Sequence, residues 1–245
     1  MKNKIIGIIV LTSVLCGAGT QLAKANNTAT SNISIESVDI NELSDKVMSE
    51  IDYITDKDWE EMYKEVDGKV VSDFEALSKM NQIIERNKPL KYMGSIGSNL
   101  KAAIKKYPAQ AIVAQGEANE AKNKAAYYYK SDTLGGGNGD AFRHTLWNVL
   151  MTKSIGESIC KVFADANELD AKQTTKAEKL AVEMDYYNNA QGRQIGRVVG
   201  LKGKEMEKYI MKWLDNGYCK RLNTNNWKEA TYLRNTDSSG KTGLN

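Results

Sequence analysis

Pro108-Ala-Gln-Ala111-Ile-Val-Ala114-Gln-Gly-Glu-Ala118-Asn-Glu-Ala121-Lys-Asn-Lys-Ala125 decides the class of the fold. Its alanines recur at spacings of 3, 4, 3 and 4, which puts them on one face of an α-helix. Proline suits the first turn, where a missing N–H leaves no bond unmade. A narrow stripe of methyl groups lets a neighbouring backbone come close, so it reads as core architecture rather than as a ligand site. The helix runs out in Tyr127-Tyr128-Tyr129. Leu134-Gly-Gly-Gly-Asn-Gly139, with four glycines in six residues, then breaks the chain.

Upstream, residues 41–87 repeat the helical pattern. Ile51, Ile54, Trp59, Met62 and Tyr63 are followed by Val70, Val71, Phe74, Leu77, Met80 and Ile83 at threes and fours. Gly68 divides this stretch into two expected helices. No segment alternates as a strand does, and there is no internal repeat. The expectation is an all-α, multi-helix globular fold with a core domain over 88–234, joined by the helical segment 41–87. Residues 26–40 read as a flexible leader and 235–245, rich in Ser, Gly and Thr, as a mobile tail.

Residues 1–25 read as an export signal. Met1-Lys-Asn-Lys4 is cationic, Ile5–Gly19 is an uncharged apolar run, and Ala23-Lys24-Ala25 has the small-x-small pattern of a cleavage site. Leu15 before Cys16 argues against a lipoprotein. The expected protein is therefore secreted, extracellular or associated with the cell envelope, without an integral membrane segment after cleavage near Ala25. The chain carries a net charge of +3, but residues 1–25 hold Lys2, Lys4 and Lys24 and no acid. The remainder has 31 basic and 31 acidic residues, so charge indicates no nucleic-acid partner. Cys160 and Cys219 would remain after cleavage. A bridge between them and two separate thiols are both open readings.

The residues after the glycines carry the chemistry. Phe142, Leu146, Val149 and Leu150 are expected to face the core, whereas Asp140, His144, Trp147 and Asn148 share the other side of one helix. An acid one turn before a histidine fixes its tautomer or binds a metal ion with it. It is also a common helix cap, with Asn138 or Asp140 in that role and His144 as an ordinary core histidine. Arg143 can hold a phosphate or carboxylate. Two more clusters follow: Asp165-Ala-Asn-Glu168, and Met184-Asp185-Tyr-Tyr-Asn188-Asn189-Ala-Gln-Gly192-Arg193. Gly192, Gly196 and Gly200 at fours imply a close approach between helices.

The order Gly139-Asp-Ala-Phe-Arg-His144…Trp147-Asn148, Asp165-Ala…Glu168 and Met184-Asp185…Asn188-Asn189…Gly192 resembles an uncharacterised family of secreted Gram-positive proteins. Related domains stand at the C-terminal ends of toxin-like proteins. The resemblance covers Tyr107 to Gly200 and implies an architecture and a site rather than a reaction. The family pattern has histidine where this chain has Asn167, which removes a ligand or a base.

Two functional readings result. In the first, the chain is a secreted hydrolase or a degenerate one. His144, Arg143, Asp140 and Glu168 are its catalytic candidates, and Asp185, Asn188, Asn189 and Arg193 bind substrate. No metal ligand is assigned outright. A divalent-cation variant would draw on Asp140, His144, Glu168 and Asp185, a set suited to Mg²⁺, Ca²⁺ or Mn²⁺ rather than Zn²⁺. In the second, the protein binds an extracellular partner and the cluster is a structural network, Arg143 pairing with Asp165 or Asp185 and His144 with Glu168.

Overall fold

In a computed structural model, residues 39–90 and 95–244 are described; the export-signal and leader expectations lie outside them, apart from the last two leader positions. Nine α-helices occur among the described residues, and the all-α expectation holds. Residues 41–87 form three helices rather than two: α1 (Ile40–Glu50), α2 (Asp56–Glu65) and α3 (Asp73–Asn87). The extra break falls at Thr55, whose hydroxyl accepts from the Asp58 N–H while the Asp58 carboxylate accepts from the Thr55 N–H. Gly68 separates α2 from α3 at φ +65°, as its position suggested.

A short α4 (Ser98–Lys106) leads to α5 (Pro108–Tyr128), with proline in its first turn. Next come α6 (Asn138–Ile155), α7 (Glu157–Asp170), α8 (Lys176–Val198) and α9 (Gly203–Asp215). Gly156 at φ +83° is the one-residue corner between α6 and α7. Strands β1 (Lys220–Leu222) and β2 (Leu233–Asn235) pair antiparallel, Lys220 opposite Asn235. Their three-residue length carries too little alternation to mark them in the sequence.

Helix α6 is the centre, packed by α5, α7, α8 and α9. Because it is surrounded, it is buried on nearly every side: Phe142 and Val149 are enclosed, and so are His144 and Asn148. Trp147, assigned above to the polar side, is buried with its indole N–H on the Ala114 carbonyl at 2.9 Å. Ala111, Ala114, Ala121 and Ala125 are fully buried along α5. Helices α1–α3 join the same apolar core, from Val47 and Met62 to Phe142 and Phe163.

Helices α6 and α8 meet through glycine. A Cβ on Gly192 would lie 2.4 Å from the Thr145 carbonyl oxygen, and one on Gly196 would lie 2.7 Å from Thr152 Cβ. Gly200, expected to continue this contact, lies beyond the end of α8 with nothing within 4 Å.

Residues 236–244, expected as a free tail, are instead tied to the body. Thr236 is buried, the Gly240 carbonyl accepts from the Lys130 N–H at 2.8 Å, and the Tyr128 carbonyl accepts from the Thr242 N–H at 2.9 Å. Short polar side chains there satisfy backbone groups that apolar residues could not. Cys160 and Cys219 are both free and buried. Burial pushes their thiols up to about 11 and about 12. No helix among the described residues is long and apolar enough to cross a membrane.

Candidate functional site

The glycine turn sets the first side chain. Helix α6 begins after Gly137 with no side-chain cap, so the cap expected from Asn138 or Asp140 is absent. Asp140 lies inside the first turn and reaches back to accept the Gly136 N–H at 2.7 Å. Asn138 points the other way, donating to the Asp237 and Ser239 carbonyls at 2.9 Å each. Three residues after Asp140, Arg143 closes on Asp140 Oδ1 with Nε at 3.0 Å and Nη2 at 2.6 Å. The expected pairing of Arg143 with Asp165 is not formed. Asp165 is an outward residue paired with Lys161, one turn before it.

His144 is 1% exposed and sits where α6, α7 and α8 meet. Its Nδ1 lies 3.2 Å from Asn189 Oδ1, and the neighbouring bonds settle the roles. Asn189 Nδ2 donates to Glu168 Oε1 at 3.1 Å, and Asn148 Nδ2 donates to Asn189 Oδ1 at 2.7 Å. Asn189 therefore presents an oxygen to the ring, and His144 Nδ1 carries the proton. Nε2 is left as a lone pair, 2.5 Å from Arg143 Nη2 and 3.2 Å from Asp185 Oδ1. Glu168 Oε1 stands 3.7 Å from Nδ1, behind the ring.

Burial and then the Arg143 charge push the imidazole down to about 3, against the pull of Asp140 and Asn189. His144 is neutral at physiological pH, so its approaches to Asp140 and Asp185 are not ion pairs. Burial also acts on Asp140, but the Arg143 charge and the bonds from Arg143 and Gly136 outweigh it and hold that acid low. Asp185 is raised well above the usual carboxylate range, by burial and then by the Asp140 and Glu168 charges. Glu168 is raised chiefly by burial.

Asp140, His144 and Asp185 have ligand atoms that all lie within 4.8 Å of one another. Asp185 Oδ1 is buried and has no hydrogen-bond partner. Two lone pairs, from a carboxylate and an imidazole, thus face each other across 3.2 Å. Only a proton or a cation between them relieves that arrangement.

Two of the expected substrate residues have other partners. Asn188 brackets β1: its Nδ2 donates to the Lys220 carbonyl and its Oδ1 accepts the Lys220 N–H, both at 2.9 Å. It faces away from His144 because consecutive helical residues diverge by about 100°. Asn188→Ala is expected to cost about 1–3 kcal/mol, since two part-buried backbone groups lose partners. Urea denaturation checks this, and a substrate-contact role would predict no such loss. Arg193 donates to Asn148 Oδ1 at 3.1 Å and supports the network from behind.

The cluster approaches solvent through Arg143. With Gln115 and Asn167 it lines a recess of ≈ 70 Å³, whose Leu100, Gln115 and Asn167 also line a cleft of ≈ 700 Å³ extending to Asp56 and Asp170. The opening therefore ends at Arg143 and not at His144. Asn167, where the resembled pattern has histidine, stands at this opening and donates to Glu168 Oε1, the acid of the buried cluster, at 3.3 Å.

A further buried acid was not singled out from the sequence. Glu117 is 2% exposed on α5, with the Ser154 hydroxyl donating to its Oε1. It falls three residues after Ala114 and four before Ala121, on the alanine face itself, and that spacing was the available signal.

No curated protein and no solved structure matches the chain. Residues 101–218, which run from within α4 to just past α9 and carry Asp140, Arg143, His144, Glu168, Asp185 and Asn189, match the family model described as Domain of unknown function (DUF6973).

Proposed function

We propose that the protein is an exported hydrolase-like domain whose centre takes one divalent cation between Asp140, His144 and Asp185. The observation that carries this reading is the buried, unpartnered Asp185 Oδ1 facing the His144 lone pair. Two carboxylates and one imidazole form a hard, oxygen-rich set, suited to Mg²⁺, Mn²⁺ or Ca²⁺ more than to Zn²⁺. A bound cation would supply an activated water and polarise a substrate oxygen.

The protein's own groups then divide the work. Asn189 and Asn148 hold the ring so that Nε2 points inward. Glu168 anchors Asn189, which makes it a positioning residue. Arg143, at the inner end of the cleft, receives an anionic group of the substrate once a cation replaces it between Asp140 and His144. A neutral His144 makes a better ligand than base, which moves it from the general-base role toward coordination. Export, an extracellular substrate and kinship with toxin-associated domains rest on residues 1–25 and on the motif resemblance.

One observation favours a structural network in a secreted binding protein instead: Arg143 Nη2 already bridges Asp140 Oδ1 and His144 Nε2. Calorimetric titration of the full chain with MnCl₂, MgCl₂ and CaCl₂ separates the two readings. Binding of at least one cation at a single site is expected, weakened tenfold or more by Asp185→Asn in a protein whose circular dichroism is unchanged. No binding to the wild type, or equal binding by the variant, would overturn the proposal. A panel of phosphodiester, ester and muropeptide substrates, run with the bound cation, then identifies the chemistry.

A further inference from the structure

A second cavity, of ≈ 550 Å³, opens on the other side of α6, between α5, α6 and the start of α9. Leu146, Leu150, Leu201 and Met206 make it apolar, and Glu117 lines it from α5. The Glu117 carboxyl is nine-tenths buried and more, and its Oε2 is enclosed without a hydrogen-bond partner. Protonation does not cure this, because a proton on Oε1 can go to the Ser154 hydroxyl, which donates to the Leu150 carbonyl, and Oε2 is still left without a donor.

The surrounding charges select the missing partner. Glu120, one turn further along α5, also lines the cavity and forms no ion pair among the described residues. Glu207 on the same wall is already matched by Lys124 at 2.7 Å and takes the Tyr128 hydroxyl. Of the two exposed lysines at the edge, Lys153 is held by the Val199 carbonyl at 2.6 Å, and Lys202 forms no ion pair among the described residues. Glu117 and Glu120 therefore stand beside an apolar wall with no cation within ion-pair distance among the described residues, and the Tyr63 ring lines the same space. A donor that is also a cation satisfies both acids and can lie against an aromatic face.

We infer that this cavity is a binding site for a small amine with an apolar body, its ammonium on Glu117 and Glu120 and its hydrocarbon part against Leu146, Leu150 and Met206. The site is separate from the His144 centre and does not depend on the reading given to that centre. Burial, which pushes the Glu117 carboxyl up to about 8, agrees with an acid lacking its cation.

Benzylamine and benzyl alcohol, nearly equal in shape, are suitable probes for calorimetric titration of the full chain. Benzylamine is expected to bind at least tenfold more tightly than benzyl alcohol, and Glu117→Gln to remove that difference while circular dichroism stays unchanged. Equal binding of the two probes by the wild type, no binding of benzylamine, or an affinity for it unaffected by Glu117→Gln would overturn the inference. A measurement on the wild type alone covers a variant that fails to fold. Benzylamine should shift the amide resonances of Glu117, Leu150 and Met206, and shifts confined to other regions would refute the site.

Discussion

Gly192→Val should destabilise the protein by about 3 kcal/mol or more, at the upper end of the usual cost of overpacking. The new side chain would begin 2.4 Å from the Thr145 carbonyl oxygen and 2.6 Å from Asn148 Cβ, a backbone atom and a fully buried neighbour. Neither can turn aside, so α8 must move off α6. A helical glycine costs about 1 kcal/mol relative to alanine, and Gly192→Ala recovers that propensity while still meeting the same atoms. It should fall between valine and wild type. Gly200→Ala, with open space around it, should stay within about 0.5 kcal/mol. Guanidinium denaturation of the three variants tests the series; a valine variant as stable as the Gly200 one would show that the two helices are not in contact. The displacement also reaches the site, because Gly192 lies one turn from Asn189 and two from Asp185 on the same helix.

Glu117→Gln should change how stability depends on pH. In the folded state the Glu117 carboxyl titrates at about 8 against an ordinary value of 4.5, with burial as the leading cause and the Glu120 charge adding to it. Between those two values the folded protein holds a proton that the unfolded chain has released. The contribution of this group is therefore complete below about pH 4.5 and is lost as pH rises toward 8. At 1.36 kcal/mol per pH unit the loss approaches about 5 kcal/mol as an upper bound. Glutamine keeps the shape and an acceptor for the Ser154 hydroxyl but does not ionise. The variant should match or trail the wild type at pH 4.5 and exceed it at pH 8. Urea midpoints across that range provide the comparison, and parallel curves for the two proteins would contradict it. The difference between proteins matters here, since the acids around His144 titrate equally in both.

What could be read from residue order and what could not differ in physical kind. The alanine stripe of α5 and the Gly192–Gly196 contact were legible because helical periodicity fixes which residues share a face. The convergence of Asp140, His144, Glu168, Asp185 and Asn189 was legible because an interior helix has few reasons to carry polar groups except to pair them. Partner choice was not. Asp165 and Glu168 lie one turn apart on α7, and only the packing decides that the second enters the cluster while the first pairs with Lys161. Asn188 and Asn189 differ by one position, yet one closes on β1 and the other on His144. Arg143 takes the acid of its own helix, three residues away, rather than one brought by α7 or α8. Trp147 was misplaced because a face argument presumes that a whole side of a helix meets water, and α6 is covered on nearly every side.

The grip of Asn138 on Asp237 and Ser239 joins positions about a hundred residues apart. Contacts of such span close a long loop and are gained late, after nearer pairings have already formed. Synthesis runs from residue 1 upward, so the start of α6 at Asn138 lacks this tie while residues 237–239 have yet to emerge. The arrangement ties the setting of the Asp140 carboxylate to a segment made long after it, and a nascent chain halted at β1 would hold its reactive groups in an unfinished frame.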